Sequence, residues 1–261
     1  MISYDKQLIK TEVEIKKMQE AGRVNALVLE EIKSMIKPGI TTKELDTAAE
    51  AIIRDHGGIP TFKGYPGPYP YPATLTISIN EELVHGIPSG RVLVEGDIVS
   101  VDCGTTLDGY IGDSAFTHGV GEIGKEKRRL IQVTEESLYK GIEHMRPGKH
   151  IGDVSAAIQD HIESHGYHVP RKYTGHGVGQ KMHEPPQVPN FGIPGQGILL
   201  QVGMTIAIEP MVLVGTSKTK VLSDQWTVIS ADHSLTAHYE HSVAVTANSP
   251  LILTRVWDNN N

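Results

Sequence analysis

DIVSVDCGTTLDGYIGDSAFT, residues 97–117, reads as two strands joined by an Asp108-Gly109 turn, the dipeptide that favours a tight two-residue hairpin. In that register Asp113 faces position 104, and 104 shares a strand face with Asp102. The two carboxylates become diagonal neighbours with backbones roughly 7–8 Å apart. Like charges held this way repel, so a shared proton, solvent or divalent cations must offset them. Taken alone, the hairpin also fits an edge pair with two solvated aspartates, and residues further along the chain decide between these.

The chain around it has 261 residues, enough for one large domain or two small ones. Charged residues are 21% and hydrophobic ones 39%, the balance of a soluble globular protein. A net charge of -7 argues against nucleic acid or an anionic membrane as the main partner. The one cysteine, Cys103, rules out an internal disulfide and fits a reducing compartment. The N-terminus lacks the apolar core of a signal peptide, and no apolar run approaches the ~18 residues of a membrane span. Cytoplasm is the expected location.

Upstream, Thr11 and Glu14 form a capping box that opens a helix. Ile15, Met18, Gly22, Leu29, Ile32 and Ile36 give it one apolar face, and Lys37-Pro38-Gly39 ends it. A second capping box, Thr41 with Glu44, starts a helix whose stripe is Leu45, Ala48, Ala49, Ile52 and Ile53, stopped by Gly57-Gly58. A loop rich in Pro, Gly and Tyr follows, and strands are predicted over 74–79, 92–103 and 110–117. The pattern then restarts. Helices are predicted over 125–145 and 152–164, and Pro38 to Gly57 is the same spacing as Pro147 to Gly166. ILLQVGMTIAIEPM, residues 198–211, echoes VLVEGDIVSVDCG, residues 92–104, so that Gly203 matches Gly96 and Glu209 matches Asp102. The expectation is an α+β fold over one domain, 1–261. Two pseudo-repeats, about 11–120 and 125–250, share one sheet, with four helices on one face. Equivalent carboxylates from the two halves then point at a common centre.

Four further places carry chemistry. His176 sits between glycines in Gly175-His176-Gly177, which lets a ligand approach the imidazole, and His183 follows seven residues later. Glu209 lies in an apolar strand, expensive unless paired or metal-bound, and Pro210 after it predicts a bulge or strand edge. Strand alternation puts His238, Glu240 and Ser242 on one face. His85, in Val84-His85-Gly86-Ile87-Pro88, reads by itself as a turn residue. Four carboxylates with a minority of imidazole suit Mn, Fe, Co or Zn, and they are too many for one tetrahedral zinc. Two ions with bridging carboxylates fit the count. No Ser-His-Asp order, nucleophile elbow or reactive cysteine motif competes.

HGIP, VDCGTTLDGYIGDSA, GHGVGQKMHEPP, MTIAIEP and YEHSVAV, in this order and spacing, resemble the methionine aminopeptidases of type I from about Thr11 to Val245. The resemblance implies the pita-bread fold, with its pseudo-two-fold helix-helix-strand halves around a shared antiparallel sheet. It implies removal of the initiator methionine from nascent polypeptides whose second residue is small, using two divalent metal ions. Asp102 would bind one ion, Asp113 and Glu240 would bridge both, and His176 and Glu209 would bind the other. Glu209 would also relay the proton of the attacking water, and His85 and His183 would donate hydrogen bonds to the scissile peptide. Phe62, Tyr65, Met182 and Trp226 would line the methionine pocket, although without the family Phe62 and Trp226 read as core. Three features depart from the pattern. The loop GYPGPYPYP, residues 64–72, is about three residues longer than usual, Met182 stands where an aromatic is often found, and His238 where Gln is frequent. The expected partner is the N-terminal Met of nascent chains, met at the ribosome by a monomeric enzyme. The alternatives are a proline-directed peptidase such as aminopeptidase P or prolidase, and a non-catalytic pita-bread module that binds peptides.

Overall fold

Thr11 opens the first helix as its capping box predicts: the Thr11 hydroxyl accepts the Glu14 amide, and the Glu14 carboxylate accepts the Thr11 amide. The computed structural model describes residues 8–256 and carries this helix, α1, over Glu12–Met35. Helix α2 spans Thr42–Asp55 behind the second capping box, with Leu45, Ala49 and Ile53 buried. Helix α3 spans Lys125–Glu143 and α4 Ile151–Ser164. The predicted 125–145 helix closes two residues early, because the Met145 amide turns back to Ile142 in the final bend.

The strands between them are short. Ile59–Pro60 (β1), Leu75–Ile79 (β2) and Glu82–Val84 (β3) precede the long hairpin of Ile98–Leu107 (β4) and Tyr110–Gly119 (β5). The second half adds Thr174–Gly177 (β6), Glu184–Pro189 (β7), Thr205–Ile208 (β8) and Met211–Leu213 (β9). Thr219–Val221 (β10), Val228–Ser230 (β11), Thr236–His238 (β12), Glu240–Ala244 (β13) and Leu251–Ile252 (β14) complete the described strands. The main sheet runs β1-β4-β5-β13-β8-β6-β7, with β2 also on β4 and β14 on β13, and its pairs are antiparallel. The strand predicted over 92–103 starts only at Ile98. Residues 94–97 instead form a turn in which Asp97 accepts the Val94 amide and Gly96 takes a φ of 89°.

The hairpin has the predicted register. Asp108 and Gly109 both take positive φ, 48° and 77°, and Gly104 pairs with Asp113. Alternation sends the neighbouring side chains to opposite faces. Ser114 and Thr105 bond Asn25 of α1, at 2.7 and 2.9 Å, so Asp113 and Asp102 point away from that helix. Helix α1 lies close against β5 because both contribute a glycine: a Cβ on Gly112 would meet the Gly22 backbone at 2.5 Å. The apolar core fills the space between helices and sheet, from Val28 and Ile32 to Val101, Leu138 and Ile208.

Both helix pairs are pinned to the sheet in the same way. Leu93 exchanges hydrogen bonds with Gly39 and Ile40 at the mouth of α2, and Leu200 exchanges them with Gly148 and Lys149 at the mouth of α4. The turns that follow each carry a glycine at positive φ, Gly96 at 89° and Gly203 at 93°.

Candidate active site

Five adjacent strands each deliver one acidic or imidazole side chain to the sheet face opposite α1. Asp102 comes from β4, Asp113 from β5, Glu240 from β13, Glu209 from the break after β8 and His176 from β6. Ala115 sits opposite both Asp102 and Glu240, so these two straddle it, and Asp113 lies two residues along on the same face. Pro210 cannot donate to a ladder, and the strand is interrupted at Glu209-Pro210, which turns the Glu209 carboxylate inward. The Asp113 backbone is fixed from both sides by the Ser242 hydroxyl, at 3.1 and 2.9 Å.

The polar atoms converge, with the Asp113 and Glu240 carboxyls in hydrogen-bond reach of each other. His176 Nε2 lies 3.8 Å from Asp113 Oδ2 and 3.6 Å from Glu209 Oε1, and single donor atoms of Asp113, His176 and Glu240 lie within 4.8 Å of one another. The other ring nitrogen, His176 Nδ1, is bonded to the Gly177 carbonyl at 2.9 Å, which orients the ring. Asp102 Oδ1, Asp113 Oδ1 and Glu240 Oε1 are buried with no hydrogen-bond partner. Burial pushes the Asp113 pKa up to about 7. Burial, then the charge of Asp113, holds Asp102, Glu209 and Glu240 well above the usual carboxylate range. Four such groups cannot ionise together unless positive charge lies among them. Orphaned carboxylate oxygens around one oriented imidazole are the donor set of a divalent metal centre, so these residues fit the ions that the sequence implies.

The remaining predicted residues border the same cavity, of about 130 Å³. His85 takes a φ of 63° and stands edge-on to Tyr173 and Trp226. Burial, helped by His183, brings its pKa down to about 4, so it is neutral at pH 7. His183 packs against His176 with ring centroids 4.3 Å apart, and its Nδ1 is 2.5 Å from the Tyr65 hydroxyl. Glu184 staples the loop that carries it: its Oε1 accepts the amides of Gln180 and Lys181, both at 3.0 Å, while Lys10 pairs with Oε2 at 2.5 Å. Phe62, Tyr65, Met182 and Trp226 form an apolar wall.

Two contributors escape the sequence reading: Tyr71 and Thr76 also line the cavity. His238, which strand alternation puts on the face of Glu240, approaches the carboxylates as well. Thr76 pairs with Asp102, a register that only the folded sheet defines. Tyr71 belongs to the tyrosine-rich loop, which was a usable signal. That loop folds down on the pocket: Tyr71 and Tyr69 stand edge-on to the Trp226 ring, Gly67 lies directly against it, and the Tyr69 hydroxyl bonds the Asp224 carbonyl at 2.8 Å. The loop therefore builds a pocket wall.

Residues 16–247 match the model of metallopeptidase family M24. The chain is 51% identical to methionine aminopeptidase 1 of Bacillus subtilis over 95% of its own length and 99% of the relative's. Its fold superposes on the crystal structure of methionine aminopeptidase from Thermotoga maritima with a TM-score of 0.92 and 46% identity, covering 95% of this chain and 98% of that one. Prolidase from Pyrococcus furiosus shares the fold alone, with a TM-score of 0.78 at 23% identity, over 98% of this chain and 67% of that one. The architecture is thus the pita-bread fold that the motifs imply.

Proposed function

Because the chain belongs to metallopeptidase family M24 and, within it, to the methionine aminopeptidases, we propose that it hydrolyses the bond after an N-terminal methionine. Its substrates are nascent polypeptides with a small second residue, met in the cytoplasm as they leave the ribosome. The enzyme is a type I monomer, one catalytic domain of two pseudo-repeats. The equivalent contacts at Leu93 and Leu200 support that duplication. Among the described residues, no helix is long and apolar enough to cross a membrane.

The observation that carries this reading is the convergence of Asp102, Asp113, His176, Glu209 and Glu240, with buried, unpaired oxygens on Asp102, Asp113 and Glu240. They would hold two divalent ions drawn from Co, Mn, Fe and Zn. Such ions supply Lewis-acid polarisation of the scissile carbonyl and lower the pKa of water toward neutrality. Glu209, ionised beside the ions, would receive the proton of the attacking water. The Tyr65 hydroxyl lies 2.5 Å from His183 Nδ1; with the hydroxyl as donor, the ring proton would stand on Nε2 and could stabilise the oxygen where charge develops. His85, neutral at pH 7, would donate there as well. Phe62, Tyr65, Met182 and Trp226 receive the methionine thioether, whose sulfur gains ~0.3–1.5 kcal/mol from aromatic contacts.

The test compares Met-Ala-Ser, Met-Leu-Ser and Ala-Pro-Ala as substrates for wild type and Asp113→Ala, with Mn(II), Fe(II), Co(II) or Zn(II) added. Release of methionine from Met-Ala-Ser alone, lost in the variant, is expected. Cleavage of Ala-Pro-Ala in preference would make the chain proline-directed. Inactivity of folded protein with every ion would leave a peptide-binding module.

A further inference from the structure

His238 ends β12 at the edge of the carboxylate cluster. Its backbone is fully engaged: the amide donates to Thr117 Oγ1 at 2.8 Å, and the carbonyl accepts from the same hydroxyl at 2.8 Å. The side chain is thereby aimed inward with little freedom. The residue is 1% exposed, yet neither ring nitrogen has a hydrogen-bond partner. Buried side-chain nitrogens are seldom left unpaired without a function to explain it.

The surroundings of the ring supply one. Its Nε2 lies 3.7 Å from Glu209 Oε2 and 4.0 Å from Glu240 Oε2. Both separations are too long for hydrogen bonds. They match those of His176, whose Nε2 stands 3.6 and 3.8 Å from oxygens of Glu209 and Asp113. Two donors each ~2.1 Å from one ion, roughly 110–145° apart, stand about 3.4–4.0 Å from each other. The Glu209 carboxylate is therefore flanked symmetrically, with Oε1 facing one imidazole and Oε2 facing the other.

We infer that His238 is a further metal-binding residue, its Nε2 adding a second imidazole to the centre on the outer side of the Glu209 carboxylate. This rests on the metal reading above and goes beyond its five residues. A second imidazole shifts the donor set away from one suited to Mn and toward one suited to Co or Zn.

The test is proton NMR of the full chain loaded with Co(II). Two solvent-exchangeable imidazole N–H signals, shifted far outside the diamagnetic range, are expected in wild type, one from His176 and one from His238. His238→Gln, which keeps a polar side chain but no imidazole, should lose one signal. By calorimetry it should bind one ion roughly 10–100-fold more weakly, with its circular dichroism unchanged. A single such signal in wild type overturns the inference without recourse to the variant, and leaves the five-residue centre standing. Failure of wild type to bind Co(II) at all removes both.

Discussion

Tyr65 governs what His183 can do. Its hydroxyl lies 2.5 Å from Nδ1, and as a donor there it would favour the tautomer with the proton on Nε2. Tyr65→Phe keeps the ring in the apolar wall and removes only that hydrogen bond, worth ~0.5–1.5 kcal/mol. Steady-state kinetics on Met-Ala-Ser should show kcat falling by roughly 2–10-fold with KM little changed. A rise in KM alone would mean that the hydroxyl serves binding and not the tautomer. Cys103 illustrates the opposite case, a reactive group made inert. It is fully buried, and burial pushes its thiol pKa up. A thiol reagent such as dithionitrobenzoate should leave the native protein unmodified and titrate one thiol after denaturation.

Glu209 and His176 stood out in the sequence because each is unusual where it stands, whereas Asp102, Asp113 and Glu240 joined them as one set through the repeat and the family resemblance. A glutamate in an apolar strand or a histidine between glycines demands a reason before any coordinates are known. Thr76 and Tyr71 make no such demand. A threonine in a strand and a tyrosine in a loop are unremarked until the register of β2 on β4 brings one beside Asp102 and the loop folds the other onto Trp226. His238 lies between these cases. Alternation put it on the face of Glu240, but its unpaired nitrogens are visible only in the fold.

Among elements, α1 is packed closely at Gly22 against both β5 and the segment that follows β14. A Cβ on Gly22 would fall 2.3 Å from the Leu253 carbonyl oxygen, against backbone that cannot swing aside. Gly22→Ala should therefore destabilise by about 1–3 kcal/mol despite alanine's better helix propensity. Urea unfolding would show a lower midpoint at unchanged slope, and an unchanged midpoint would mean that the helix can shift outward freely. Capping boxes and Pro-Gly stops predicted the helices nearly to the residue, since those signals are local. The start of β4 was missed because the Val94–Asp97 turn is held by a side-chain carboxylate bond that apolar patterning does not encode.

Helix α2 is tied to the segment before the tyrosine loop through Glu50, which accepts from both Arg54 and Lys63. Lys63 and then Arg54 bring the Glu50 pKa down to about 2. A carboxyl depressed on folding stabilises above its unfolded pKa, ~4.3, and loses that contribution as pH falls through the folded value. Wild type should thus exceed Glu50→Gln in stability at pH 7 by a modest margin, since both cations are about half exposed. The margin should close between about pH 4.5 and pH 2. Urea curves at pH 7, 4 and 2.5 would check it, and a pH-independent margin would assign the effect to packing.

The molecule as a whole carries a conflict between stability and the proposed chemistry. Four buried carboxylates repel when no cation lies among them. Asp113→Asn removes one charge and keeps the shape, so chelator-treated variant should melt above chelator-treated wild type by a few degrees, ~2–4 °C per kcal/mol at this chain length. Adding Co(II) or Mn(II) should raise wild type more and reverse the order. Thermal melts of both proteins with and without ions would decide it, and a variant that melts lower in both conditions would show that Asp113 is structural first.

The order of strands in the sheet has one more consequence. Strand β13, almost the last to be made, is the one inserted between β5 and β8, and it brings Glu240. At ~5–20 residues per second, Asp102 waits on the order of ten seconds for that partner to be translated. Through that interval the hairpin carries its acids without the wall that completes the proposed centre. The scissors are forged in separate halves, and the pin that joins them arrives last.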